Sequence, residues 1–230
     1  MSDHARHNTA IVTATHVSFR ADNQTLLNDI SLHIDRGTIT MVLGHNGAGK
    51  TLLLSVLHGL ITPQTGKISG PVRHKQKMVF QKPVLLRRSA RDYFNYLCPG
   101  LDDATIESWF EKAQLDSRLS TPARQLSGGE SQKLALIGAL ASQPDLLFLD
   151  EPTAHLDFES IRFIETQITD AHKSGMTIVM TSHNRAQAER LSDQRQRSFV
   201  NLGQNQADPE GSFPILHKRQ ANPPDYLPNK

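Results

Sequence analysis

Apolar positions along this chain fall into short blocks that alternate between strand-like and helix-like spacing. Residues 10–19, Ala-Ile-Val-Thr-Ala-Thr-His-Val-Ser-Phe, are β-prone and partly alternate apolar with polar positions. Asp22-Asn23-Gln24 reads as a turn, and Leu32-His33-Ile34 as a strand closed by Asp35-Arg36-Gly37. The run Ile39-Thr40-Met41-Val42-Leu43 reads as a buried strand, and Leu52-Leu53-Leu54-Ser55-Val56-Leu57 as the opening of a helix. Ile68, after a turn at Gly66, and Met78-Val79-Phe80 mark two further strands. The early part of the sheet is expected to be partly antiparallel.

From residue 82 to 141 the spacing turns helical. Helices are predicted over 89–97 and 103–113, separated by Pro99-Gly100, and over 128–141. A helical block between strands predicts a subdomain beside the core sheet. Leu146-Leu147-Phe148-Leu149 is continuously apolar, as expected of a strand covered on both faces. A helix over 158–173, a buried strand over 177–180, a polar helix over 185–191 and an edge strand over 199–202 complete the pattern. The expected fold class is α/β with a mixed sheet. One domain over 8–203 carries the helical insertion at about 82–141, and a Pro-, Asn- and Gln-rich tail over 204–230 has the composition of disorder or of a partner-binding strap.

Composition narrows the function classes. The chain's 230 residues suffice for one α/β domain with a small insertion. A net charge of +2 is too mild to argue for nucleic acid or an anionic membrane surface. The single cysteine, Cys98, excludes an internal disulfide framework and fits a reducing compartment. No run approaches the ~18 apolar residues of a membrane span. Residues 1–7 are polar and lack a signal-peptide core. A soluble cytosolic chain is expected, joined to any membrane through a partner.

The chemistry begins at Gly44-His45-Asn46-Gly47-Ala48-Gly49-Lys50-Thr51, which satisfies G-x-x-x-x-G-K-[ST] between a predicted strand and a predicted helix. Glycines let the backbone close around a phosphate, and the amides of the loop and of the helix start, through Leu52, point at the anion. In this motif Lys50 reaches the β- and γ-phosphates, and Thr51 is a ligand of the Mg²⁺ that accompanies ATP. The bland alternative is a Gly-rich turn before an ordinary helix. A second motif is the apolar strand 146–149 ending in Asp150-Glu151. Strand ends are where ligands sit in open α/β sheets, so Asp150 is a candidate metal ligand and Glu151 a candidate general base. Alone, such an acidic pair is more often a helix cap.

Leu126-Ser127-Gly128-Gly129-Glu130 carries an S-x-x-E capping box, so a helix is expected to start there. Paired glycines in a first turn cost about 1 kcal/mol each, a cost that makes sense where backbone amides meet an anion closely. This stretch resembles the signature motif of the ATP-binding cassette (ABC) ATPases, and the resemblance extends to about Leu202. It implies the phosphate-loop ABC fold, with a RecA-like core, an antiparallel β part and an inserted helical subdomain. It also implies roles. Gln81 matches the Q-loop glutamine that senses Mg²⁺ and the γ-phosphate, Asp157 lies in a D-loop-like Ala154-His155-Leu156-Asp157, and His183 matches the switch histidine. The working unit is then a homodimer sandwiching ATP between the phosphate loop of one copy and the signature of the other. Transmembrane permease subunits would dock near residues 82–88 on the inner face of the membrane, with an extracytoplasmic substrate-binding protein as an indirect partner.

Two departures stand out. The aromatic residue that stacks on adenine in this family is expected near Arg20-Ala21, where the nearest aromatic is Phe19. Lys133 stands where an arginine-containing pattern usually follows the signature. Residues 50–54, His58-Gly59-Leu60 and 78–89 are similar to the ATPases of tungstate importers, within the molybdate, tungstate and sulfate group. That makes uptake of an inorganic oxyanion the leading expectation. Other ABC transporters (amino acid, metal or lipoprotein export) and non-transport ABC ATPases are the alternatives. A kinase would not need residues 126–130, and a GTPase would want an N-K-x-D motif that the sequence lacks.

Overall fold

The computed structural model describes residues 10–191 and 198–202. Two strands, β1 (Ala10–Ala21) and β2 (Gln24–Asp35), form an antiparallel hairpin through Asp22 and Asn23, which both adopt positive φ. After β3 (Ile39–Leu43) and α1 (Lys50–His58), β4 (Thr65–Ser69) returns antiparallel to β1. The order in this first sheet is β2-β1-β4. The predicted antiparallel part is therefore present, although its first two strands are one long hairpin.

The second sheet is parallel. It comprises β5 (Gln76–Val79), β6 (Leu146–Leu149), β7 (Thr177–Ser182), β3 and β8 (Ser198–Asn201), in the order β5-β6-β7-β3-β8. Every residue of β6 and β7 is buried, which accounts for their continuous apolar runs. Leu43 pairs with Ser182, Leu149 with Met180 and Val79 with Leu149. That register brings the C-terminal ends of β5, β6, β7 and β3 side by side, so the loops leaving them converge. The expected last edge strand is β8, parallel to β3.

Between β5 and β6 lie α2 (Ala90–Leu97), α3 (Asp103–Lys112) and α4 (Gly128–Ala141). The helical signal starts later than residue 82: residues 82–88 have no regular structure, and Ser89 caps α2 by accepting from the Asp92 amide. These helices share a core of their own that includes Phe94, Ile106, Phe110, Leu134 and Ile137. Phe94 and Phe110 meet edge to face at 5.5 Å. Phe110→Ala is expected to lower stability by about 3–5 kcal/mol, read as a shifted urea midpoint, because no neighbour can fill a fully buried ring's volume. Cys98 donates to the Gly138 carbonyl at 3.1 Å, and burial pushes its thiol up to about 11, so it is a packing residue rather than a reactive one.

The outer elements are α5 (Phe158–Lys173) and α6 (Arg185–Leu191). Among the described residues, no helix is long and apolar enough to cross a membrane. The tail over 204–230, and the ends of the expected domain at residues 8, 9 and 203, lie outside the described residues.

Candidate active site

The loop between β3 and α1 turns back on itself at Gly49, whose φ of 90° belongs to the left-handed region. A Cβ there would stand 2.9 Å from the Leu26 carbonyl oxygen, so the turn tolerates only glycine on two counts. Gly49 is also the N-cap of α1, and among the described residues no side chain caps that end. The first amides of α1 are thus free to meet an anion. Gly44 abuts Leu202, where a Cβ would fall 2.8 Å from the carbonyl oxygen. His45 turns its Nδ1 to the Asn46 carbonyl at 2.8 Å, and the Ala48 amide donates to His45.

Lys50 folds back over this loop. Its Nζ donates to the carbonyls of Gly44 at 2.9 Å and His45 at 3.1 Å and pairs with Glu151 Oε1 at 3.1 Å. The lysine side chain is 5% exposed and the glutamate 13%, so this ion pair is largely withdrawn from solvent. The next residue, Thr51, donates its hydroxyl to Asp150 Oδ2 at 2.8 Å. The other oxygen of Asp150 accepts from Thr181 at 2.8 Å, and the Thr181 hydroxyl in turn accepts from the Glu151 amide at 2.7 Å. Asp150 is thereby fixed at both oxygens directly beyond β6. Glu151 has a φ of 42°, a left-handed conformation for a residue with a Cβ, and it is held by the Thr181 bond.

Two more of the expected residues reach this carboxylate. His183 Nδ1 lies 3.3 Å from Glu151 Oε2, and Gln81 Nε2 donates to the same oxygen at 3.5 Å. Lys50, Thr51, Gln81, Asp150, Glu151 and His183 therefore form one connected cluster at the strand ends. Such a cluster, a cation in a turn of amides with a carboxylate and a hydroxyl beside it, can bind a phosphate chain and polarise water.

The other expected residues sit elsewhere. Leu126, Ser127, Gly128, Gly129 and Glu130 open α4 with the full capping box: Ser127 Oγ accepts from the Glu130 amide, and Glu130 accepts from the Ser127 amide at 2.8 Å. Gly129 is pressed against α5, where a Cβ would stand 2.5 Å from Ser160 Oγ and 3.2 Å from Asp157 Oδ2. Asp157 is the N-cap of α5 and accepts from the Ser160 amide and hydroxyl. The Ser160 amide holds the Asp157 carboxyl below its usual range. Gly129 and Asp157 thus meet directly, whereas Gly128 faces open space. Phe19 pairs with Leu27 across the hairpin and packs on the core that Ala48 and Leu52 also border. Its side chain is half-buried there.

Sequence reasoning did not single out Thr181, Ser160 or Arg118. Thr181 had a readable signal, a hydroxyl in the middle of a fully buried strand. Gln132 also links the two regions, donating from α4 to the Phe80 carbonyl at 3.3 Å, one residue before Gln81.

A family model described as ABC transporter matches residues 27–154. The tungstate uptake system ATP-binding protein TupC of Peptoclostridium acidaminophilum is 36% identical over 195 residues, covering 79% of this chain and 91% of that protein. The zinc import ATP-binding protein ZnuC of Photorhabdus laumondii subsp. laumondii is 35% identical over 188 residues, covering 76% and 69%. A solved structure described as the ATP binding subunit of an ABC transporter superimposes with a TM-score of 0.74 at 27% identity, covering 84% of this chain and 85% of that one. With the phosphate-loop cradle and the capped signature helix both in place, this chain belongs to the ABC transporter family, as an ATP-binding domain whose ATPase activity is coupled to transport.

Proposed function

We propose that this chain is the ATP-hydrolysing subunit of an ABC importer that takes up an inorganic oxyanion, tungstate or molybdate, through a separate permease. The observation that carries the ATPase part is the buried Lys50–Glu151 pair, joined through Thr181 to Asp150 and Thr51. In this reading the working domain spans residues 8–203, with the helical subdomain at about 82–141.

Residues 44–51, with the amide of Leu52, cradle the phosphates. The neighbouring Thr51 hydroxyl and Asp150 carboxylate are hard oxygen donors 2.8 Å apart, the donor chemistry that Mg²⁺ takes. Thr51 and Asp150, with Gln81, would hold the Mg²⁺ that accompanies ATP, which would supply neutralisation of the phosphate charge. Glu151 takes up the proton of the attacking water. His183 and Gln81, which already touch Glu151, orient that water and report the γ-phosphate. The signature of a second copy, Ser127 to Glu130, closes over the same nucleotide, so the active species is a homodimer. Residues 82–88 present an irregular, basic segment to the permease, which places the chain on the inner membrane face and leaves the extracytoplasmic binding protein an indirect partner.

Support for the oxyanion is the likeness to TupC, which is named for tungstate uptake. ZnuC, named for zinc import, is almost equally similar, so the cargo is decided by the permease rather than by these residues. Radioactive tungstate uptake into cells with and without the chain tests the cargo. Loss of zinc uptake with tungstate uptake intact would reject the oxyanion. Selection of the base is expected to be weak, because the aromatic nearest the expected stacking position, Phe19, is half-buried against the core and offers a ring face but no donor or acceptor to read a base edge. Steady-state kinetics on ATP and GTP are expected to give kcat/KM values within about tenfold, because a stacking ring accepts any base and does not tell adenine from guanine. A preference of a thousandfold for ATP would show that hydrogen-bonding groups read the edge of the base.

A further inference from the structure

Arg118 lies outside every motif, in the connection between α3 and α4, yet it donates from Nε to Glu130 Oε1 at 2.8 Å. The other oxygen of Glu130 accepts from the Ser127 amide. The Ser127 amide, with Arg118 beside it, holds the Glu130 carboxyl below its usual range, so this acid is charged at the tip of the signature helix. The hollow in front of that tip is bordered by Arg118, Lys133, Glu130, Asp157 and Glu159, two cations against three carboxylates. Lys133 is already engaged, with its ammonium 5.3 Å over the Phe163 ring. Arg118 is half exposed, with its guanidinium on Glu130 at the rim of this hollow.

We infer that Arg118 is a positioning residue for ATP-driven closure: it cancels the Glu130 charge where the triphosphate of the second copy arrives. Without it, three carboxylates face one cation, and a polyanion approaching the helix tip meets a rim whose negative excess has doubled from one charge to two. The inference rests on the signature of one copy meeting the nucleotide of the other.

The test is ATPase kinetics of the full-length protein at low and high salt. Arg118→Ala is expected to raise the ATP concentration for half-maximal rate about three- to fivefold at low salt, with kcat within about twofold. The shift should shrink as salt screens the rim. Arg118→Ala with Glu159→Gln, which restores the net charge of the rim, should return the half-maximal concentration to that of the unsubstituted protein. A merely structural clamp would not be rescued this way, since the double variant still lacks the bond. An unchanged half-maximal concentration in Arg118→Ala, or a double variant as impaired as the single, overturns the inference. Ser127→Ala separates the two levels: loss of its activity alongside a normal Arg118→Ala rejects Arg118 alone, whereas full activity of Ser127→Ala rejects the signature reading beneath it.

Discussion

Glu151→Gln is expected to cut ATP hydrolysis by about 10²–10⁴-fold, the usual contribution of a placed general base, while nucleotide binding survives. The carboxylate follows the end of β6, and its backbone is locked by the Thr181 hydroxyl, so a glutamine of the same shape has no reason to move. What changes is charge. Glutamine at this position still accepts from His183 and Gln81 but takes no proton from water. A second consequence follows from the Lys50 pair at 3.1 Å: Glu151 binds the same ammonium that a phosphate needs. Neutralising it removes an internal competitor, so ADP affinity should hold or rise. Phosphate-release assays and calorimetric ADP titration check both halves. Full turnover in the variant would remove Glu151 from catalysis, and a large loss of ADP affinity would show that the pair supports the cradle instead of competing for it.

What could be read without coordinates follows a physical line. Strands β3 and β6 were legible because burial on both faces demands unbroken apolar runs, and α4 because its cap is written in Ser127 and Glu130. The hairpin was read as shorter pieces because bulges shift its register between Ala14 and Val17 and again before Phe19, which breaks the alternation a strand should show. Residues 82–88 resemble a helix start because Leu85 and Leu86 are apolar, but they pack on the helical core from an irregular path. The Leu85 carbonyl accepts from Arg124, and Pro83 biases Lys82 toward extended backbone. The motifs identified the phosphate-loop residues, but their mutual contacts belong to the register of β3, β6 and β7. The hydroxyl of Thr181 in a buried strand is a local signal, but its partner Asp150, like the partner of Arg118, is not, since each bond joins segments that only the fold brings together.

Lys50→Ala is expected to weaken ATP binding by about 10²–10³-fold, the worth of two charge-assisted contacts to phosphate. Part of that loss is direct, since the ammonium is the one cation inside the described turn over residues 44–51. Another part is structural. The lysine ties the Gly44 and His45 carbonyls together, and its removal leaves Glu151 largely buried without its cation, a change that costs about 3–5 kcal/mol in buried pairs. The two parts separate in Lys50→Ala combined with Glu151→Gln. That double variant no longer strands a charge, so its urea midpoint should return toward that of the unsubstituted protein, while its ATP affinity should remain low. Calorimetric titration with ATP and parallel urea denaturation read the two quantities. Unchanged affinity in Lys50→Ala would mean the triphosphate binds elsewhere. Recovery of affinity in the double variant would mean the lysine only shapes the loop and never touches phosphate.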